Sequence, residues 1–198
     1  MRRIGHGRRW RGFRRDDKGF ALVEFAMALP VMLVAYCGMV DVVQMVMANR
    51  KVTQLTLALA DLAARAAAVA PADVENIFDA AQSVLMPFDA SNASMVISSV
   101  VVDANGNARV CWSNQRNGQA LVRGATVLLP DSIRVPSTSV IMATASYRYT
   151  PQTGYVLTGS FTLGDNPIYS RPRAGQAVGT GNIEQVVRTG TKPCPDFN

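Results

Sequence analysis

Glu24 is the side chain least at home among its neighbours, being the one formal charge in the 21 residues from Phe20 to Val40. A carboxylate inside an apolar helix costs on the order of 2.5 to 3.5 kcal/mol at mid-membrane and less near the interface, so it calls for a counter-ion or a route back to the headgroups. Other chemistry is scarce. The one histidine, His6, precedes the apolar stretch, which leaves the rest of the chain without imidazole acid–base groups or His-based metal sites. There is no phosphate loop ending in Gly-Lys-Ser/Thr, no Gly-x-Ser-x-Gly elbow and no Cys-x-x-Cys. The chain is therefore expected to be no enzyme and to carry no metal or cofactor.

The element that must position Glu24 is the apolar stretch itself. At ~1.5 Å per residue, Phe20 to Val40 extends ~31 Å, the hydrocarbon thickness of a bilayer. A cleavable secretory signal has an apolar run of only ~7 to 15 residues, whereas this one continues through Val42, Val43 and Val46. Residues 20–46 are read as a transmembrane helix. Of the 198 residues with net charge +6, positions 1–18 hold eight basic and two acidic side chains, and the remaining 180 hold twelve of each. All the net charge thus belongs to a leader, residues 1–19, and the positive-inside rule keeps it cytoplasmic while the rest crosses. A nucleic-acid patch built on Trp10 and Phe13 has no folded scaffold to present it, so no nucleic-acid partner is expected. Tyr36 stands where a lipoprotein site before Cys37 requires a small residue, and Arg14-Arg15 leads into Asp16-Asp17-Lys18 rather than the apolar run of a twin-arginine signal.

Lys18-Gly19-Phe20-Ala21-Leu22-Val23-Glu24-Phe25 combines a basic leader, a glycine, an aromatic residue, a glutamate five positions after the glycine and an apolar span. This resembles the type IV prepilin signature, in which a membrane peptidase cuts after the glycine. The run Val23 to Leu33, with Phe25, Pro30, Gly38 and Asp41, resembles the TadE family of pseudopilin-like proteins that accompany Flp, or tight-adherence, pili. The resemblance covers residues 18–45; Tyr147-Arg148-Tyr149-Thr150-Pro151 and Tyr169-Ser170-Arg171-Pro172-Arg173 are also similar to segments of TadE- and TadG-like proteins. It implies cleavage between Gly19 and Phe20, roles in assembly for Glu24 and Phe25, and a place in a bacterial inner membrane with the body in the periplasm. The implied partners are a prepilin peptidase, the inner-membrane assembly platform, other pilins and membrane lipid. A cut after Gly19 would put a largely cationic α-amino group on Phe20, one helical turn from Glu24 or within reach of Glu24 on a neighbouring subunit. The competing reading is an uncleaved single-pass anchor whose periplasmic domain binds a ligand or envelope component; a type II secretion pseudopilin shares the motif but brings downstream patterns not found here.

Beyond the span, Val52, Leu55, Leu59, Leu62, Ala66 and Val69 recur at helical spacing, so one helix from Phe20 to Pro71 is expected, with a break near Asn49 as the alternative. Asp41 is read as a marker of the far interface with no special role. Pro71-Ala72-Asp73 signals a second helix reaching Pro87. Strands are expected over Met95–Asp103 and Ala108–Ser113 around Asn105-Gly106, then over Ala125–Leu129, Thr138–Thr150 and Tyr155–Leu163. In the Thr138–Thr150 strand, Ile141, Ala143, Ala145, Tyr147 and Tyr149 share one face. The fold class is α+β and pilin-like: a long N-terminal helix, transmembrane then amphipathic, a second helix, and a mostly antiparallel sheet, with residues 47–173 as the periplasmic domain. Residues 174–198 lack periodicity and read as a loosely structured tail. Cys37 is read as an apolar filler. Cys111 and Cys194 would face an oxidising periplasm, where an even pair tends to be bridged; two free thiols are the alternative.

Overall fold

The computed structural model describes residues 18–197, in two units: residues 18–43 with Pro151–Gly159, and residues 44–150 with 160–197. Residues 1–17 of the leader, with His6, Trp10 and Phe13, lie outside the described residues. The fold class is the one expected, α+β with a long apolar N-terminal helix, a second helix and then a mostly antiparallel sheet.

Helix α1 (Lys18–Arg65) is continuous, without a break at Asn49 and with Pro30 inside it. A proline is tolerated in a helix set in lipid because neighbouring groups re-satisfy the freed carbonyl. In its first part the large side chains Phe20, Leu22, Phe25, Met27, Val31, Met32 and Leu33 are all exposed. This one helix is long and apolar enough to cross a membrane.

Within the second unit α1 has a buried stripe: Ala48, Val52, Leu55, Leu59 and Ala63. The expected stripe is kept through Leu59 and then drifts to Ala63, leaving Leu62 half-buried, because 3.6 residues per turn rotates a strict 3-4 repeat off the face. The helix stops at Arg65, short of Pro71. There the Arg173 backbone N–H donates to the Ala64 carbonyl at 2.8 Å, and the guanidinium meets Asp61 at 2.6 Å. Strand β1 (Ala68–Val69) follows. Helix α2 (Pro71–Gln82) starts where the sequence puts it, Pro71 opening the first turn and the Asp73 carboxylate accepting the Ala70 N–H at 2.8 Å. It buries Val74, Phe78 and Ala81.

Strands β2 (Ala93–Val102), β3 (Ala108–Arg116), β4 (Thr138–Tyr149) and β5 (Phe161–Gly164) form an antiparallel sheet in the order β3-β2-β4-β5, with β6 (Ile168–Ser170) also pairing with β4. The β2–β3 turn is longer than a two-residue Asn-Gly turn. Asp103 closes it, accepting the N–H groups of Asn105 and Asn107 at 2.9 and 2.8 Å, while Gly106 takes the positive φ of 82° that glycine tolerates. One sheet face packs Met95, Ile97, Ile141, Ala143, Ala145, Tyr147 and Tyr149 into the core holding the α1 stripe and Phe78. On the other face Val100, Val102, Ala108, Val140 and Met142 meet Leu129.

Three expectations are corrected. Ala125–Leu129 is not a strand but a covering segment joined to β3 by a single bridge, Arg109 to Thr126; Leu129 is anchored by burial rather than by a ladder. Only Phe161–Gly164 of the Tyr155–Leu163 region, extended by one residue, is strand. The tail is not loose. Strands β7 (Gln176–Val178) and β8 (Ile183–Gln185) form a hairpin, and β9 (Val187–Arg188) pairs in parallel with β1. Ile183, Gln185, Val186 and Cys194 are buried there. Its order rests on scattered polar contacts and a covalent bond, neither of which produces a hydrophobic period.

Candidate functional site

Gly19, Phe20, Glu24 and Phe25 lie on the first two turns of α1, all exposed. Phe20 is 75% exposed and, four residues from Glu24, shares its face. The Gly19–Phe20 peptide sits in the first turn, where backbone N–H groups have no intrahelical acceptor, and glycine is a poor helix former by about 1 kcal/mol relative to alanine. This is the part of the helix that unwinds at least cost. The structure brings Glu24 against no basic group among the described residues.

Farther along the same unit is a polar contact that the sequence reading missed. Asp41 is fully buried, its carboxylate accepting the backbone N–H of Thr153 at 3.2 Å and the Thr153 hydroxyl. One turn earlier, a Cβ added to Gly38 would lie 3.0 Å from Val156. The loop Pro151–Gly159 is thus fastened to α1 by a hydrogen-bonded pair and by a close approach that a side chain at position 38 would crowd. An acid at the end of an apolar span was the available signal, but its partner is 112 residues away in sequence.

In the other unit Cys111 and Cys194 are joined by a disulfide. A bulge makes this possible: Ser99 and Val100 of β2 face Trp112 and Val110 of β3, so Cys111 is the extra residue and both it and Trp112 point into the main core. Trp112 Nε1 donates to the Val186 carbonyl at 2.8 Å. The Gln185 amide pairs with Cys194 on both sides, Nε2 donating to the carbonyl at 2.8 Å and Oε1 accepting the N–H at 3.1 Å. Arg123 donates to the carbonyls of Cys111, Lys192 and Asp196, and its guanidinium lies 5.8 Å from the Phe197 ring. A second arginine ties α2 to the sheet. Arg116 meets Glu75 and Asp79 at 2.5 Å each, donates to Gln82, and stands over Phe78 at 5.3 Å. The Glu75 hydrogen bond, with help from Asp79, raises its pKa above the ordinary arginine value against the opposing effect of burial.

Comparison with family models, with curated proteins and with solved structures finds no match to this chain. Among the described residues no three His, Cys, Asp or Glu side chains are grouped so that they could hold a metal ion. The chemically distinctive positions are therefore the apolar helix with its Gly19–Phe20 bond and Glu24, and the Asp41–Thr153 contact farther along it.

Proposed function

We propose that the protein is a TadE-like minor pilin or pseudopilin, inserted with its N-terminus in the cytoplasm, cut between Gly19 and Phe20 by a prepilin peptidase, and used in assembling a Flp-type pilus. The observation that carries this reading is an exposed apolar helix whose single early charge, Glu24, stands one turn from the residue that the cut would make N-terminal. In lipid an uncompensated carboxylate is costly, and a cationic amine on Phe20, of the same or a neighbouring subunit, would offset that cost. Before the cut that amine does not exist, so cleavage would switch on the pairing that sets subunit register. Phe25, exposed beside Glu24, would pack against the neighbouring helix. None of these residues is catalytic.

The test is mass spectrometry or N-terminal sequencing of the chain made with its cognate peptidase. A product beginning at Phe20 is expected; an intact leader would favour the uncleaved anchor. Glu24→Ala is expected to insert and be cut normally while pilus output falls, and normal piliation in that variant would remove the pairing role.

A further inference from the structure

We propose that the loop Pro151–Gly159 is a second membrane contact, seating Tyr155, Val156 and Leu157 among the lipids of the leaflet that holds the far end of the apolar part of α1. The inference rests on reading that part of α1 as a membrane span, but not on pilus assembly.

Depth is the first argument. Gly38 lies ~27 Å along the helix from Phe20 and Asp41 ~31 Å, so both fall near the far edge of a bilayer entered at Phe20. Val156 touches Gly38 and Thr153 is bonded to Asp41, so the loop is fixed at the depth of those two residues. Composition is the second. Residues 151–160 contain no charged side chain, yet Tyr155 is 80% and Val156 49% exposed, beside Leu157. A loop in water gains nothing from presenting Tyr155 and Val156 beside a half-buried Leu157, whereas tyrosine with aliphatic neighbours suits the headgroup boundary. Polar satisfaction is the third. Asp41 takes up the N–H and hydroxyl of Thr153, two donors that lipid would leave unpaired. Val156 also closes an apolar groove along Pro30, Val34, Gly38 and Val42, so the loop continues the helix's own apolar surface.

The experiment uses the full chain with Cys37→Ala, reconstituted in vesicles of phosphatidylethanolamine and phosphatidylglycerol. Nitroxide labels are placed in separate samples at Tyr155→Cys, at Met39→Cys on the helix and at Ser132→Cys on the exported body. Collision rates with oxygen and with a water-soluble nickel chelate report lipid against water. The Tyr155 label is expected to match the Met39 label, with an oxygen-to-nickel ratio several-fold above that at Ser132. A Tyr155 label as wet as Ser132, beside a lipid-facing Met39 label, would overturn the proposal and leave the span intact. A Met39 label in water would overturn both. Protection of the Tyr155 label from both reagents would mean a protein neighbour rather than lipid, and would also overturn it. Asp41→Ala, and to a smaller extent Thr153→Val, should lower the Tyr155 ratio toward the Ser132 value; an unchanged ratio in both would overturn Asp41 as the pin.

Discussion

From Phe20 to Val34, α1 leaves its apolar side chains exposed around the whole axis, whereas from Ala48 to Ala63 it buries one stripe and turns Asn49, Arg50, Thr53 and Gln54 outward. The backbone is the same continuous helix in both stretches. A helix that needs to satisfy a single apolar solvent carries no pattern, while one that lies between a core and water must divide its faces. The first stretch has its backbone bonds within itself and makes few demands on distant residues. The second is held by a sheet, a second helix and a tail that arrive much later in the sequence.

Breaking the long-range ties should therefore harm the body and spare the apolar stretch. Cys111→Ser with Cys194→Ser opens a loop that spans 83 positions. On the chain-entropy argument this lowers the stability of the body by roughly 4 to 5 kcal/mol. Chemical denaturation in detergent should show the loss, together with early proteolysis beyond Val186, while the helix signal of the apolar stretch persists. Next in size, Leu59→Ala should cost about 2 to 5 kcal/mol because it empties a fully buried site. Met32→Ala, in the exposed stretch, should leave the unfolding midpoint of the body within about 0.5 kcal/mol. Comparable losses from the two would erase the contrast drawn here.

Arg116→Met tests a tie confined to the body. Its acidic partners are largely exposed, so the ion pairs are partly screened, and the ring contact with Phe78 supplies much of the remainder. A loss of about 1 to 2 kcal/mol is expected, shrinking at high salt as the charge part fades. The smallest effect belongs to Asp103. The Asn107 backbone and side-chain hydrogen bonds hold its carboxyl below the ordinary range, with a further contribution from Asn105. A depressed folded-state pKa gives stability that is present above the unfolded value, near ~3.9, and is lost as pH falls through the folded value. Asp103→Ala should therefore lower the body's stability slightly at neutral pH, and its difference from the parent should shrink as pH falls below about 4.

Much of this contrast was legible in the residues. The single carboxylate in a 21-residue apolar run, the β2–β3 hairpin, the α2 start and the alternation from Ile141 to Tyr149 all depend on neighbours in sequence, which is where local physics acts. Cys111 and Cys194 could be paired by parity and compartment, but not the bulge that turns Cys111 inward, because a bulge is a mismatch between two strands. The tail failed for a related reason. Gln185, a residue usually at the surface, is buried because its amide meets both backbone groups of Cys194, and no periodicity announces that. Asp41 and Arg116 were missed alike: each finds its partners 34 or more positions away.

The pairing of β1 with β9 sets an order of events during synthesis. Ala68 and Val69 are made early, yet the strand they bind, Val187–Arg188, follows more than a hundred residues later. Until it arrives, β1 lacks its partner strand and the core lacks Ile183, Val186 and Cys194, and the nascent body is more adhesive toward other chains. Completion of the chain and closure of the body are thus one event, and whatever shields the open core in the interval decides how much protein survives it.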